Sequence, residues 1–228
     1  MNTEELKKLS AQEALKFIKD GDTVGLGGGR SIAYLIGMLS EKPELKIKVV
    51  TPSLNTKLLC VKNGLEVLPT YCVDSVDVAF DGCDQVDADL NALKSGGAIH
   101  TREKLIASMA KDYILLVDRE KVVSKLEFKH PVALEVITES LSYVKKCLSE
   151  IGAKVEIRTS NNKDGFLISD DGNVIVDAFF ENVDDISVLN QTLNSIFGVV
   201  GTSLFVDKVT KVIIAESDGI EILENNKR

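Results

Sequence analysis

The amino-acid sequence predicts an α/β protein, with a Rossmann-like, mostly parallel sheet domain and a smaller ferredoxin-like α+β domain inserted near the C-terminus. Three observations predict it. Short apolar strands alternate with amphipathic helices through the first half, which implies right-handed crossovers and a sheet covered on both faces. From about residue 128 the order becomes β-α-β-β-α-β, the ferredoxin-like arrangement. A last apolar strand, "KVIIAE", with the turn "SDG", then returns the chain to the first sheet. The expected division is 1–127 together with 206–228 for the larger domain, and 128–205 for the smaller.

Each element has a local reason. In "TEELKKLSAQEALKFIKDG", Leu6, Leu9, Ala14, Leu15 and Ile18 recur at helical spacing and Gly21 is a stop signal. "DTVGLG" reads as a short buried strand, "GGR" as a turn, and "SIAYLIGMLSE" as a helix with Ser31 near its start. "KIKVVT" is the next strand, and "TPSLNTKLLCVKNG" a turn followed by a helix. "SVDVAFDG" is a strand, "TREKLIASMAKD" a helix and "YILLVD" a strand. In the second unit, "VALEVI" is followed by the helix "ESLSYVKKCLSEIG", the strand "AKVEIR" and the polar turn "SNNKDG". The strand "FLISDDGNVIVDAF", broken at Asp171-Gly172, precedes the helix "DDISVLNQTLNSIFG" and the strand "VVGTSLF".

A chain of 228 residues can bury a substantial core. Its formal net charge is −8 with no basic block, which argues against nucleic acid as a partner; the positive groups that hold a small anion must then be local. No apolar run is long enough to span a bilayer, and "MNTEELKKLS" lacks a signal-peptide core, so the expectation is a cytoplasmic protein without a membrane partner. Disorder is expected only at the tail "ENNKR". Cys60, Cys72, Cys83 and Cys147 form no C-x-x-C pair, and His100 and His130 are the two histidines, so neither a metal site nor a disulfide framework is expected. Reduced, mostly buried thiols are the simpler reading.

Two glycine turns and an acid loop carry the chemistry. "VGLGGGRSIAYLI" places a strand, a glycine turn and a helix start together, an arrangement that presents free backbone N–H groups to an anion. The dinucleotide pattern fails, because Arg30 stands where the third glycine belongs and the next strand end lacks a ribose-binding acid. No G-K-S or G-K-T follows, so the nucleoside-triphosphate loop fails too. A site for a single phosphate remains, with donors from Gly28, Gly29, Arg30 and Ser31; the alternative is a turn that needs glycines only for its backbone angles. Asp81 and Asp84 follow the strand "VDVAF" and should project from the carboxyl edge of the sheet, with Gly82 and Cys83 between them. Asp74, Asp77, Asp87 and Asp89 read as solvated loop residues. In "KSGGAIHTREKLIASMA", Lys94 precedes Ser95, Gly96 and Gly97; Thr101 is the expected N-cap and Glu103 lies in the first helical turn. A general-base role for Glu103 requires a dry site, and Lys94 could neutralise an oxyanion or equally be a surface lysine. His100 reads as packed or capping, His130 as a boundary residue before Pro131.

"FDGCDQVDADLNALKSGGAIHTREKLIAS", with "VGLGGGRS" upstream and "VDREKVVSKL" downstream, resembles the type A ribose-5-phosphate isomerases, and the order of segments agrees over nearly the whole chain. The resemblance implies aldose–ketose isomerisation of ribose 5-phosphate and ribulose 5-phosphate in the non-oxidative pentose phosphate pathway. It implies no metal, no organic cofactor, and a homodimer or larger homo-oligomer. It implies Glu103 as the base between C2 and C1, Asp81 for ring opening and hydroxyl protons, and Lys94 for the oxyanion. Asp84, Ser95, Gly96 and Gly97 would position the sugar, the Gly28–Ser31 loop would hold a polar end, and Lys121 would be a further contact. The sequence departs from the family pattern G-T-G-S-T at Gly28 and Arg30, which removes two hydroxyl donors. It departs again at Gln85, Ser95 and His100. Isomerisation of another sugar phosphate and a non-catalytic sugar-phosphate sensor of the same fold are the alternatives. A metal-dependent phosphatase would ordinarily use acids closer together than Asp81 and Asp84.

Overall fold

The computed structural model describes residues 1–161 and 163–224 of the chain; Asn162 in the polar turn and all but the first residue of the tail lie outside the described residues. A seven-stranded sheet forms the centre. From one edge its strands are Gly219–Glu224, Lys211–Glu216, Ala110–Asp118, Val76–Asp81, Thr23–Leu26, Lys48–Val50 and Glu66–Val67. All neighbours are parallel except the Gly219–Glu224 edge strand. Numbered by their appearance in the chain, the six parallel strands lie in the order 3-2-1-4-5-6. The order therefore reverses between Thr23–Leu26 and Val76–Asp81, where loops at the carboxyl ends of two strands diverge and leave a crevice.

Side chains alternate across this sheet with the period of two that a pleated strand imposes. Ile114 and Leu116 join Val24, Leu26, Val78 and Phe80 in one core, covered by the helices Thr3–Leu15, Arg30–Ser40 and Leu54–Lys62. Tyr113, Leu115 and Val117 join Ala79, Val212 and Ile214 in the core on the other face, against Ile106 and Ala107 of the helix His100–Met109. Asp81 shares the parity of Ala79, so its side chain turns toward that helix.

The smaller sheet runs Val199–Thr202, Val132–Val136, Val174–Phe179, Lys154–Ile157, with every neighbour antiparallel. Along the chain its four strands and two helices follow the β-α-β-β-α-β order that the sequence predicts. The helices Leu141–Glu150 and Ile186–Ser195 supply Val144, Leu148, Ile186 and Leu193 to a third core beneath it. A small three-stranded sheet of Gln85–Val86, Ala92–Leu93 and Leu204–Phe205 joins the two larger ones. The expected single strand "VVGTSLF" is thus two strands in different sheets, broken at Ser203, whose N–H reaches Ala133 in the small sheet and whose carbonyl accepts from Lys94 N. No described helix is long and apolar enough to cross a membrane.

Candidate active site

Asp81, Lys94 and Glu103 converge at the sheet's reversal point from three elements. Asp81 ends the strand Val76–Asp81, Lys94 follows the short strand Ala92–Leu93, and Glu103 lies in the first turn of the helix His100–Met109. All three are buried. Lys94 Nζ lies 3.0 Å from Asp81 Oδ2 and 3.4 Å from Glu103 Oε1, and it also donates to the Gly82 carbonyl. The remaining valences of Asp81 are filled: Oδ1 accepts from Gly82 N at 2.8 Å and from Gly28 N at 3.4 Å, while Oδ2 accepts from the Tyr113 hydroxyl at 3.1 Å.

Two carboxylates around one ammonium in a dry site cannot both behave as free acids. Burial raises the Glu103 pKa, the Asp81 charge raises it further, and Lys94 only partly offsets them. Burial opposes the charge on Lys94, but the Asp81 and Glu103 carboxylates outweigh it and hold the lysine protonated. Tyr113 is pushed well above the usual phenol range by burial and by both carboxylates, so it stays a donor to Asp81. The result is a carboxylate able to accept a proton near neutrality beside a fixed cation.

The glycine turns surround this group. A Cβ on Gly27 would sit 2.1 Å from the Asp81 carboxyl carbon, so any larger residue there must displace that side chain, and Gly25 is closed by Ala79 and Ile106. Gly29, at φ 93°, is the N-cap of the helix Arg30–Ser40. Gly28 faces open space, and Thr56 Oγ1 donates to the Gly27 carbonyl at 2.8 Å. The first glycine run therefore serves close packing at two positions and backbone conformation at a third, with the Gly28 N–H directed at Asp81. At the second turn, Asp84 Oδ2 accepts from Ser95 N at 2.6 Å and Gly96 N at 3.3 Å, and Gly97 takes φ 67°. A Gly27→Ala protein should fold yet displace Asp81 from Lys94, lowering kcat by about 10²-fold, a loss of the size that an ångström of misplacement produces; steady-state kinetics beside thermal unfolding would check it.

Other sequence expectations meet different surroundings. Arg30 points away from the acid group: its guanidinium pairs with Glu4 Oε1 at 2.7 Å, and Tyr34 donates to the other Glu4 oxygen at 2.6 Å. Ser31 is half-buried in the first helical turn, and Lys121 is half-buried in the turn Arg119–Lys121, where its charge is felt at Cys83. Cys83 is buried, and that burial pushes its thiol up to about 12, so it is a neutral packing group. Thr101 is not the N-cap: the helix begins at His100 after Ile99, without a side-chain cap bond. Asp87 is not solvated but buried, closing its own turn by accepting from Asp89 N, Asn91 N and Asn91 Nδ2. His100 is fully buried, as packing predicts. All four cysteines are free, with Cys60 and Cys83 buried, Cys147 half-buried and Cys72 exposed. Tyr113 and Phe205 stack at 6.0 Å between ring centroids beneath the site, and no sequence motif points to either. The only signal for Tyr113 is a hydroxyl in an otherwise aliphatic buried strand.

Residues 48–219 match the family described as ribose 5-phosphate isomerase A (phosphoriboisomerase A). A ribose-5-phosphate isomerase A of Pyrococcus abyssi is 42% identical over 228 residues, which is 98% of this chain and 100% of the relative. One from Methanocaldococcus jannaschii is 37% identical with the same coverage. A solved D-ribose-5-phosphate isomerase in complex with phospho-erythronic acid superposes with a TM-score of 0.92 at 42% identity, covering 98% of this chain and 100% of that one. The Plasmodium falciparum ribose 5-phosphate isomerase gives 0.90 at 27% identity, with the same coverage. With a family match over most of its length and relatives aligned across nearly all of it, the chain belongs to the ribose 5-phosphate isomerase A family.

Proposed function

We propose that the protein interconverts D-ribose 5-phosphate and D-ribulose 5-phosphate through a cis-enediolate, with Glu103 as the base. The observation that carries this reading is the buried contact of Glu103 with Lys94 beside Asp81. In the open-chain aldose, a Glu103 oxygen takes the proton from C2; the C1–C2 double bond forms and the C1 carbonyl becomes an oxyanion. Transfer of the O2 proton to O1 and return of the Glu103-borne proton to C1 give the ketose. Lys94 faces the developing oxyanion, and such a preorganised charge is worth most in a dry site. Its 3.4 Å contact with Glu103 is longer than the 3.0 Å contact with Asp81, so the enediolate oxygen replaces the former. Asp81, accepting from Tyr113, Gly82 N and Gly28 N, handles hydroxyl protons and ring opening.

Asp84 and the Ser95–Gly97 turn position the sugar, with Cys83 packing behind them. The Gly28–Ser31 amides and Lys121 hold polar groups, with the Arg30 guanidinium remaining on Glu4. Phospho-erythronic acid, seen in the solved relative, supports this reading on chemical grounds: its carboxylate mimics the paired oxygens of a planar enediolate. No step is routed through a metal or organic cofactor. The same reading takes a cytoplasmic homodimer or larger homo-oligomer as the working form, with the ferredoxin-like unit comprising 128–205.

The test is ketose formation from ribose 5-phosphate by the purified protein, followed across pH. Glu103 must be ionised to act, and its pKa is raised, so kcat/KM rises with pH to a midpoint well above the 4.5 of an ordinary glutamate. Asp81→Asn removes one cause of that shift and moves the midpoint down. Binding of ribose 5-phosphate without turnover would instead favour the sensor alternative.

A further inference from the structure

Lys104 follows the proposed base in the same helix, yet its ammonium is directed into the protein. It donates to Thr202 Oγ1 at 2.9 Å and to the Leu204 carbonyl at 2.8 Å, and it lies 5.0 Å from the centroid of the Phe205 ring. Burial, and secondarily the charge of Lys208, lowers its pKa to about 7. A cation held by a hydroxyl, a carbonyl and a ring face, rather than by a carboxylate, is an unfavourable thing to bury.

The segment it grips has a second attachment. Leu204 and Phe205 pair with Leu93 and Ala92, the Ser203 carbonyl accepts from Lys94 N at 2.9 Å, and Lys94 Nζ lies 5.8 Å from the same Phe205 ring. Thr202, Ser203, Leu204 and Phe205 are all fully buried. This short stretch thus stands between the helix that carries Glu103 and the strand end that carries Lys94, bonded to both. Consecutive helical residues point about 100° apart, so anchoring Lys104 fixes the helix's rotation about its axis, and that rotation aims Glu103. No side-chain cap does this at the helix start.

We propose that Lys104 is a positioning residue for the isomerisation: by gripping the Thr202 hydroxyl and the Leu204 carbonyl of the segment to which Lys94 is also tied, it sets the separation between base and electrophile. The inference rests on Glu103 being the base. Lys104→Met keeps the aliphatic stem against Phe205 but removes the 2.8 Å donor of the Leu204 carbonyl, leaving it the Thr202 hydroxyl at 3.5 Å.

The experiment compares wild type, Lys104→Met, Thr202→Val and Glu103→Gln with ribose 5-phosphate carrying hydrogen or deuterium at C2, alongside thermal unfolding. For Lys104→Met the expected result is a fall in kcat of about tenfold or more, KM within about twofold, and a larger primary isotope effect on kcat, because a misaimed base makes proton transfer limiting. Thr202→Val, nearly isosteric, should show the same isotope-effect increase with a smaller loss, and carries the test if Lys104→Met does not fold. A kcat within twofold of wild type overturns the proposal, as does a fall with an unchanged isotope effect, which reports fewer active molecules only. Failure of the wild type to isomerise, or full activity in Glu103→Gln, would instead sink the assignment of the reaction or its base.

Discussion

Replacing Glu103 by glutamine will lower kcat by about 10²- to 10⁴-fold, the range for losing a positioned general base, while leaving KM and the fold nearly unchanged. The amide has the shape of the carboxyl and removes a charge that burial and Asp81 already disfavour, so the variant should unfold at the same temperature or slightly higher. Because the amide cannot take the C2 proton, the loss should appear equally in kcat and kcat/KM. Steady-state kinetics in both directions, with thermal unfolding on the same samples, would check both halves. A variant both inactive and strongly destabilised would mean that Glu103 is part of the scaffold.

Lys94→Met should be worse in both respects. The lysine is the cation between two buried carboxylates, and removing one member of such a group typically destabilises by about 3–5 kcal/mol. The sign of its pH dependence follows from linkage. Without Lys94, the folded-state pKa of Glu103 rises further above its unfolded value. A carboxyl raised in this way is protonated in both states at low pH, and stability falls as pH climbs through the folded pKa. The deficit against wild type should therefore shrink in acid and grow toward alkaline pH in denaturant titrations, and a deficit independent of pH would contradict it. Activity should fall by at least as much as in Glu103→Gln, since the enediolate loses its electrophile.

Much of this site is legible in the sequence because its parts sit at junctions that leave local marks. Asp81 is the last residue of an apolar run, Glu103 falls in the first turn of a periodic helix, and both glycine clusters mark the starts of helices. The strand alternation foretells a parallel sheet, but not the 3-2-1-4-5-6 order that sets Gly27 against Asp81, because strand order is decided by packing far along the chain. Elements of two residues, such as Gln85–Val86, Ala92–Leu93 and Glu66–Val67, are too short to show a period. Ser203 breaks an apparently continuous strand because its backbone bonds reach two different sheets. Asp87 looks like its solvated neighbours and is distinguished only by the turn it closes. Arg30 resembles an anion ligand in sequence, and what takes it elsewhere is Glu4, 26 residues away in the chain.

The most direct measurement of the central claim follows hydrogen rather than rate. Ribose 5-phosphate would be isomerised in deuterium oxide by wild type and by Glu103→Gln, with deuterium at C1 of the ketose and C2 of the recovered aldose read by NMR. Proton transfer by an exchangeable carboxylate predicts solvent deuterium at both carbons with the wild type, and near-complete loss of that labelling per unit time with the variant. Turnover with no label, or labelling at the wild-type rate in Glu103→Gln, would contradict it.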